Sequence, residues 1–244
     1  MADNHSPLAQ FEIHRYVPIE LGGYDISFTN SSLFMVIAVA VMSFFVLGGM
    51  SRAALVPGRW QVAVESMYEF VADMLNSTAG SDGRKYFPFV FTLFTFILTA
   101  NLLGMLPYSF TVTSHIIVTF ALALVVFVGV TIIGFARHGL GFLRSFVPSG
   151  VPFIMLPLIV VIEVISYFTR PISLSVRLFA NMLAGHTMMK VFGGFVAALG
   201  IFGILPLAFM VALVALEIVV ALLQAYVFAV LSCIYLAGVL HIEH

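Results

Sequence analysis

The chain has 244 residues, of which 62% are hydrophobic and only 9% charged, with a formal net charge of −1. A soluble domain carries roughly 25% charged residues, so this composition excludes a soluble globular protein and specifies an integral membrane protein, while the near-neutral balance gives no electrostatic reason for nucleic-acid binding. The single cysteine, Cys233, excludes an internal disulfide framework.

Residues 1–30 are mixed polar, with His5, Glu12, His14, Arg15, Glu20 and Asp25, and read as an extramembrane segment. They lack the basic stretch running directly into an apolar core that marks a cleaved secretory signal, so targeting is expected to reside in the first span. That span is residues 31–50, uncharged and of the roughly twenty residues a crossing helix needs. In residues 59–76 the pattern changes: Val62, Met67, Tyr68, Phe70, Val71, Met74 and Leu75 recur at helical spacing, while Glu65, Glu69 and Asp73 form an acidic face. This predicts an amphipathic interfacial helix whose acidic face suits a partner better than lipid. Residues 86–106 and 115–136 predict two further spans, joined by a loop, 107–114, with no charged residue.

Arg52, Arg59, Arg84 and Lys85 lie between the first two apolar spans, and Arg137 and Arg144 follow the third. The positive-inside rule therefore puts these loops in the cytoplasm and the N-terminus outside, and residues 137–150 read as an interfacial cytoplasmic connector. Two long helical stretches follow, 151–198 and 201–241, separated by Leu199-Gly200. Each exceeds the length of a perpendicular span, and Pro152, Pro157, Pro171 and Pro206 offer places to bend. The prediction is an all-α polytopic protein: one domain over residues 31–244, ending in a long, steeply tilted helical hairpin at about 151–241, with the C-terminus cytoplasmic.

The hairpin carries the chemistry. Arg177 stands amid apolar residues, where an ionised group costs roughly 3 kcal/mol or more, and arginine cannot escape by neutralising. Glu163, Arg170 and Arg177 are spaced by sevens and so stay near one face unless Pro171 rotates the register; Asn181 is one turn beyond Arg177 and Ser173 one turn before. Glu217 and Gln224 are again seven apart, with the small Ala221 between them. A turn near Ile201 sets His186 level with Glu217 and Arg177 level with Gln224. Given the orientation above, His186 and Glu217 fall outside Arg177 and Glu163 inside it, so a fixed charge separates two polar regions, as an ion path split into two half-channels requires. Each residue also has a plain structural reading: Arg177 as a cation paired with Glu163 or a backbone carbonyl, His186 and Glu217 as a helix tie, Asn181 and Gln224 as interhelical glue. Lys190 and Arg170 read as structural, His115 and His138 as interfacial, and the tail from His241 to His244 as solvated.

The run Arg177-Leu178-Phe179-Ala180-Asn181-Met182-Leu183-Ala184-Gly185-His186, with Glu217 and Gln224-Ala225-Tyr226-Val227-Phe228 downstream, resembles subunit a of the F-type ATP synthases. The similarity extends over most of the chain, including Pro88, the run from Asn101 to Pro107 and Pro171-Ile172-Ser173-Leu174-Ser175. The resemblance implies a non-catalytic, proton-translocating subunit without cofactors, in a bacterial inner membrane. Its implied partners are a ring of c subunits bearing mid-membrane carboxyl groups, peripheral-stalk b subunits and, through the complex, a soluble ATPase head. It also implies that Arg177 faces the ring, that Asn181, His186, Glu217 and Gln224 belong to the outer path or its junction, and that Glu163 belongs to the inner path. Some relatives carry the acid at the position of His186 and the histidine at that of Glu217, which leaves the order of proton transfer open. Two competing classes have less support. A haem-binding electron carrier would need paired histidines on facing helices, and an independent transporter would show an internal repeat.

Overall fold

The computed structural model describes residues 11–18, 20, 21, 24, 25, 27–51, 54–106, 109–147 and 154–240. Arg52, Pro107, Pro148, Pro152 and the tail from His241 to His244 lie outside the described residues. Six helices dominate: α1 (Asn30–Met50), α2 (Arg59–Gly83), α3 (Phe87–Gly104), α4 (Ile116–His138), α5 (Leu156–Leu199) and α6 (Ile204–Leu240). The protein is an all-α polytopic membrane protein. Among the described residues, four stretches are long and apolar enough to cross a membrane: Asn30–Met50, Arg59–Gly104, Ile116–Leu143 and Leu156–Leu240. Ahead of α1, two short antiparallel strand pairs form between Arg15–Val17 and Phe28–Thr29 and between Glu20–Leu21 and Tyr24–Asp25. Asn30 ties this segment to the helix, its side-chain nitrogen donating to the Glu12 carbonyl and its oxygen accepting from His14 N. Thr29 caps α1 by accepting from Ser32 N.

The helix at residue 59 is longer than its periodicity predicts, running to Gly83 with a break at Gly80, where φ is +63°. Its buried stripe is Val64, Val71, Met74, Leu75 and Ala79, whereas Val62, Tyr68 and Phe70 from the predicted apolar face are exposed. Helical spacing alone cannot tell a stripe packed on protein from one that faces lipid; here the small and branched side chains pack inward, and Tyr68 and Phe70 ride over the aromatic rings of Phe87, Phe94 and Tyr226. On α3, the residues Val90, Leu93, Phe94, Ile97, Ala100, Asn101 and Gly104 recur every three or four positions and form its buried face.

The second half of α6 is the axis of the core. From Ala221 onward Gln224, Ala225, Phe228, Ala229, Ser232, Cys233 and Leu236 are buried, and α2, α3, α4 and α5 all pack on this helix. Its alternation of alanines with larger residues lets those neighbours approach closely, the packing mode that membrane helices depend on. The hairpin behaves differently on its two sides of the Glu217 level. Within α5 the buried residues run only from Pro171 to His186, and in α6 none precedes Glu217. Toward the turn the hairpin packs on itself, with Phe192 against Phe209 at 4.7 Å, while the start of α5 packs on α4 through Tyr167 and Phe127. Gly200 makes the turn with φ +54°, and at Gly203 a Cβ would lie 2.6 Å from the Val196 carbonyl oxygen, so only glycine permits this closure.

At 1.5 Å per residue, the 44 residues of α5 span about 66 Å, roughly twice the hydrocarbon thickness of a bilayer. The helix continues through Pro171, so the proline does not rotate the register of the residues on either side of it.

Candidate functional site

Antiparallel pairing of α5 with α6 brings polar residues together in two layers. His186 Nδ1 lies 2.6 Å from Glu217 Oε1, and both residues are buried. One and a half to two turns from this layer, Asn181 Nδ2 donates to Gln224 Oε1 at 2.9 Å. The midpoint of each pair falls within Gly200–Gly203, so the hairpin turn sets both registers. Gln224 is therefore matched with Asn181 and not, as its level alone predicts, with Arg177; side-chain direction around the helix decides the partner as much as height does.

The His186 imidazole is held on every side. Nδ1 also lies 3.0 Å from the Met182 carbonyl, so that carbonyl and the Glu217 carboxylate share one ring nitrogen. Nε2 is 2.8 Å from the Gly104 carbonyl and 3.0 Å from Thr111 Oγ1. Both ring nitrogens thus face oxygen acceptors, and the ring can donate from both only when it carries two protons. Glu217 has less support: neither carboxylate oxygen has a hydrogen bond of good geometry, and both are buried. A carboxylate so placed is costly unless it takes a proton or faces a protonated imidazole. Gly185 makes room for it, since a Cβ there would lie 2.7 Å from Glu217 Oε1.

Three residues that periodicity did not single out complete this layer. Thr111 reaches His186 and also donates to the Gly104 carbonyl. Asn101 donates to the Ala221 carbonyl and accepts from Thr113. The segment between α3 and α4 therefore folds inward, with Val112, Thr113 and Ser114 buried. The available signal was an uncharged loop rich in serine and threonine immediately after a buried asparagine. Further along this segment, the His115 ring stacks on Phe110 at 4.9 Å, and burial pushes its pKa below the usual histidine value. At the other end of α4, His138 bonds the Val239 carbonyl.

Glu163 forms an ion pair with Arg170 at 3.4 Å, both side chains about one-third exposed. Arg170 is also held over the rings of Tyr167 and Tyr235, at 5.5 and 5.4 Å. Arg177 has no such company. It is exposed, and among the described residues it makes no hydrogen bond or ion pair. The structural reading in which Glu163 neutralises Arg177 thus gives way to one in which Glu163 neutralises Arg170. Along α5, Arg177 stands about 14 Å from the His186 level and about 21 Å from that of Glu163. The exposed residues flanking it on α5 are small or apolar, Ser173, Val176, Ala180 and Ala184, with Asn181 one turn on.

These features define a class: an all-α polytopic membrane protein whose C-terminal hairpin exposes a guanidinium without an ion-pair partner among the described residues and buries a histidine–carboxylate pair about 14 Å further along the same helix. The ATP synthase A chain family matches residues 32–237. The chain is 62% identical to "ATP synthase subunit a" of Pelagibacter ubique over the full length of both, and 60% identical to that of Mesorhizobium japonicum over 100% of this chain and 99% of the relative. It is also 60% identical to that of Chelativorans sp. over 98% of each. The chain belongs to the ATP synthase A chain family.

Proposed function

We propose that the chain is the proton-translocating stator subunit of an ATP synthase membrane sector, that it performs no bond-making chemistry itself, and that Arg177 separates two offset half-channels. The observation that carries this reading is the guanidinium on the exposed face of α5, without an ion-pair partner among the described residues. A permanent cation cannot rest against hydrocarbon, so that face requires a neighbour that supplies negative charge. A ring of c subunits meets the requirement. A ring carboxyl facing lipid must be protonated; opposite Arg177 the adjacent cation favours its ionised form. Rotation past Arg177 then releases a proton to one side and takes one up from the other, and the guanidinium bars direct passage between them. Each charge crossing delivers about 2.3 kcal/mol per 100 mV.

In this reading Asn181, Gln224, His186 and Glu217, with Thr111, line the outer path or its junction, and Glu163 lines the inner one. The hairpin lies steeply oblique in the bilayer, as the lengths of α5 and α6 favour. The peripheral-stalk b subunits hold the chain against rotation, and the soluble ATPase head uses the torque. The basic residues at the ends of α2 and α4 support a cytoplasmic location for those ends, an external N-terminus and residence in a bacterial inner membrane.

Two measurements probe the paths separately. Glu163→Gln is expected to slow proton-driven synthesis severalfold without stopping it, because water can partly replace a carboxylate that is one-third exposed, and the thiol introduced by Glu163→Cys is expected to react with a membrane-impermeant reagent from the cytoplasm. Reaction only from outside inverts the topology. Gly185→Ala puts a methyl group 2.7 Å from Glu217 Oε1 as it now sits. Displacing that carboxylate by about 1 Å is expected to lower synthesis by roughly 100-fold, with helix content by circular dichroism unchanged; normal synthesis in this variant would remove Glu217 from the path.

A further inference from the structure

A cavity of about 470 Å³ opens where α2 joins α3 and α4 ends. Asp82, Lys85 and Tyr86 line one wall; Ile132, Ile133 and Arg137 line the other. Arg137 is ion-paired with Asp82, so its charge is matched from within the chain. The neighbouring Arg84 is directed away, its Nε donating to Asn76. Lys85 is exposed and makes no hydrogen bond or ion pair among the described residues. The cavity therefore carries one excess positive charge above an apolar floor that includes Ile132, which is 62% exposed.

We propose that this cavity is a binding site for an anionic membrane phospholipid, with Lys85 on the phosphate, the Tyr86 hydroxyl at headgroup level and the start of an acyl chain along Ile132 and Ile133. Each half of the site excludes an alternative. Free phosphate has no use for the isoleucine floor, and a zwitterionic lipid gains nothing from an excess positive charge. Basic residues at the ends of membrane helices stand at the depth of lipid phosphates, where one lysine or arginine changes anionic-lipid occupancy about fivefold.

The test uses the assembled complex in membrane vesicles doped with photoactivatable phosphatidylglycerol or, separately, photoactivatable phosphatidylcholine, with adducts mapped by peptide mass spectrometry. The peptide spanning α4 near Ile132 and Ile133 is expected to take the anionic probe about fivefold more than the zwitterionic one. Lys85→Gln is expected to bring the two to parity, while labelling on α1 stays unchanged. Ile133→Trp, which fills the cavity and leaves the charges intact, is expected to abolish the anionic adduct, so the proposal remains testable if Lys85→Gln does not assemble. Equal labelling by both probes in the unaltered protein overturns the proposal. So does loss of the adduct to millimolar inorganic phosphate, which would make the site one for the free anion. Carbodiimide coupling of Lys85 to a carboxylate of another subunit, in place of lipid adducts, would assign the cavity to a protein neighbour and equally overturn it.

Discussion

Arg177→Ala is expected to reduce proton-driven ATP synthesis to background while leaving an assembled complex that leaks protons. The structure separates these two outcomes. Because Arg177 is exposed and makes no hydrogen bond or ion pair among the described residues, its removal breaks no such bond within the chain, and the hairpin should fold and assemble as before. What is lost is the field at the face. A guanidinium about 4 Å from a carboxylate, at an effective dielectric near 20, stabilises the ionised form by about 4 kcal/mol, or about three pKa units. Without it a ring carboxyl passing this point keeps its proton, and no fixed charge repels a proton crossing between the half-channels. Arg177→Lys should restore little, because lysine can shed its proton in a dry site and lacks the planar fork. The measurements are synthesis rate at fixed proton-motive force and passive proton uptake by vesicles, with assembly checked on the same membranes. Near-normal synthesis in an assembled Arg177→Ala complex defeats the half-channel reading.

The parts of this architecture that were legible in the sequence are those governed by one-dimensional rules. Span length and an uncharged run define α1, and a turn near Ile201 places His186 level with Glu217, which the 2.6 Å contact matches. What was not legible depends on the direction a side chain takes around its helix or on a loop folding inward. Gln224 shares the level of Arg177, yet only the structural reading of Asn181 and Gln224 as interhelical glue gives its partner. Glu163 was offered as a structural counter-ion for Arg177, yet it pairs with Arg170, seven residues along the same face. Thr111 and Asn101 lie in or beside a segment that hydropathy reads as an ordinary connection, and only its burial against α5 and α6 brings them to His186 and Ala221. The apolar stripe of α2 was assigned to the correct helix but partly to the wrong side, because Tyr68 and Phe70 share its period with Val71 and Leu75 without sharing their burial.

His186 and Glu217 are expected to behave as one unit, so that His186→Glu and Glu217→His each lower proton-driven synthesis tenfold or more while the double exchange recovers a substantial part. Both side chains are buried, and neither Glu217 oxygen has a hydrogen bond of good geometry to fall back on. His186→Glu sets two carboxylates against each other, of which one must stay protonated, and Glu217→His sets two imidazoles together with no anion to share a proton. The exchange restores one acid and one base. Recovery should be incomplete, because a carboxylate at 186 would face the Gly104 carbonyl, which can only accept, where Nε2 now lies at 2.8 Å. It would also set the bulkier imidazole against Gly185, where a Cβ already has no space. A coupling of about 2 kcal/mol between contacting residues, within the range for such pairs, corresponds to roughly thirtyfold recovery over the product of the single losses. Synthesis at fixed proton-motive force in the two single variants and the double measures this coupling directly. A double variant that loses as much as the two singles combined, on a logarithmic scale, would show that the 2.6 Å contact is a passive helix tie and that the outer proton path runs elsewhere.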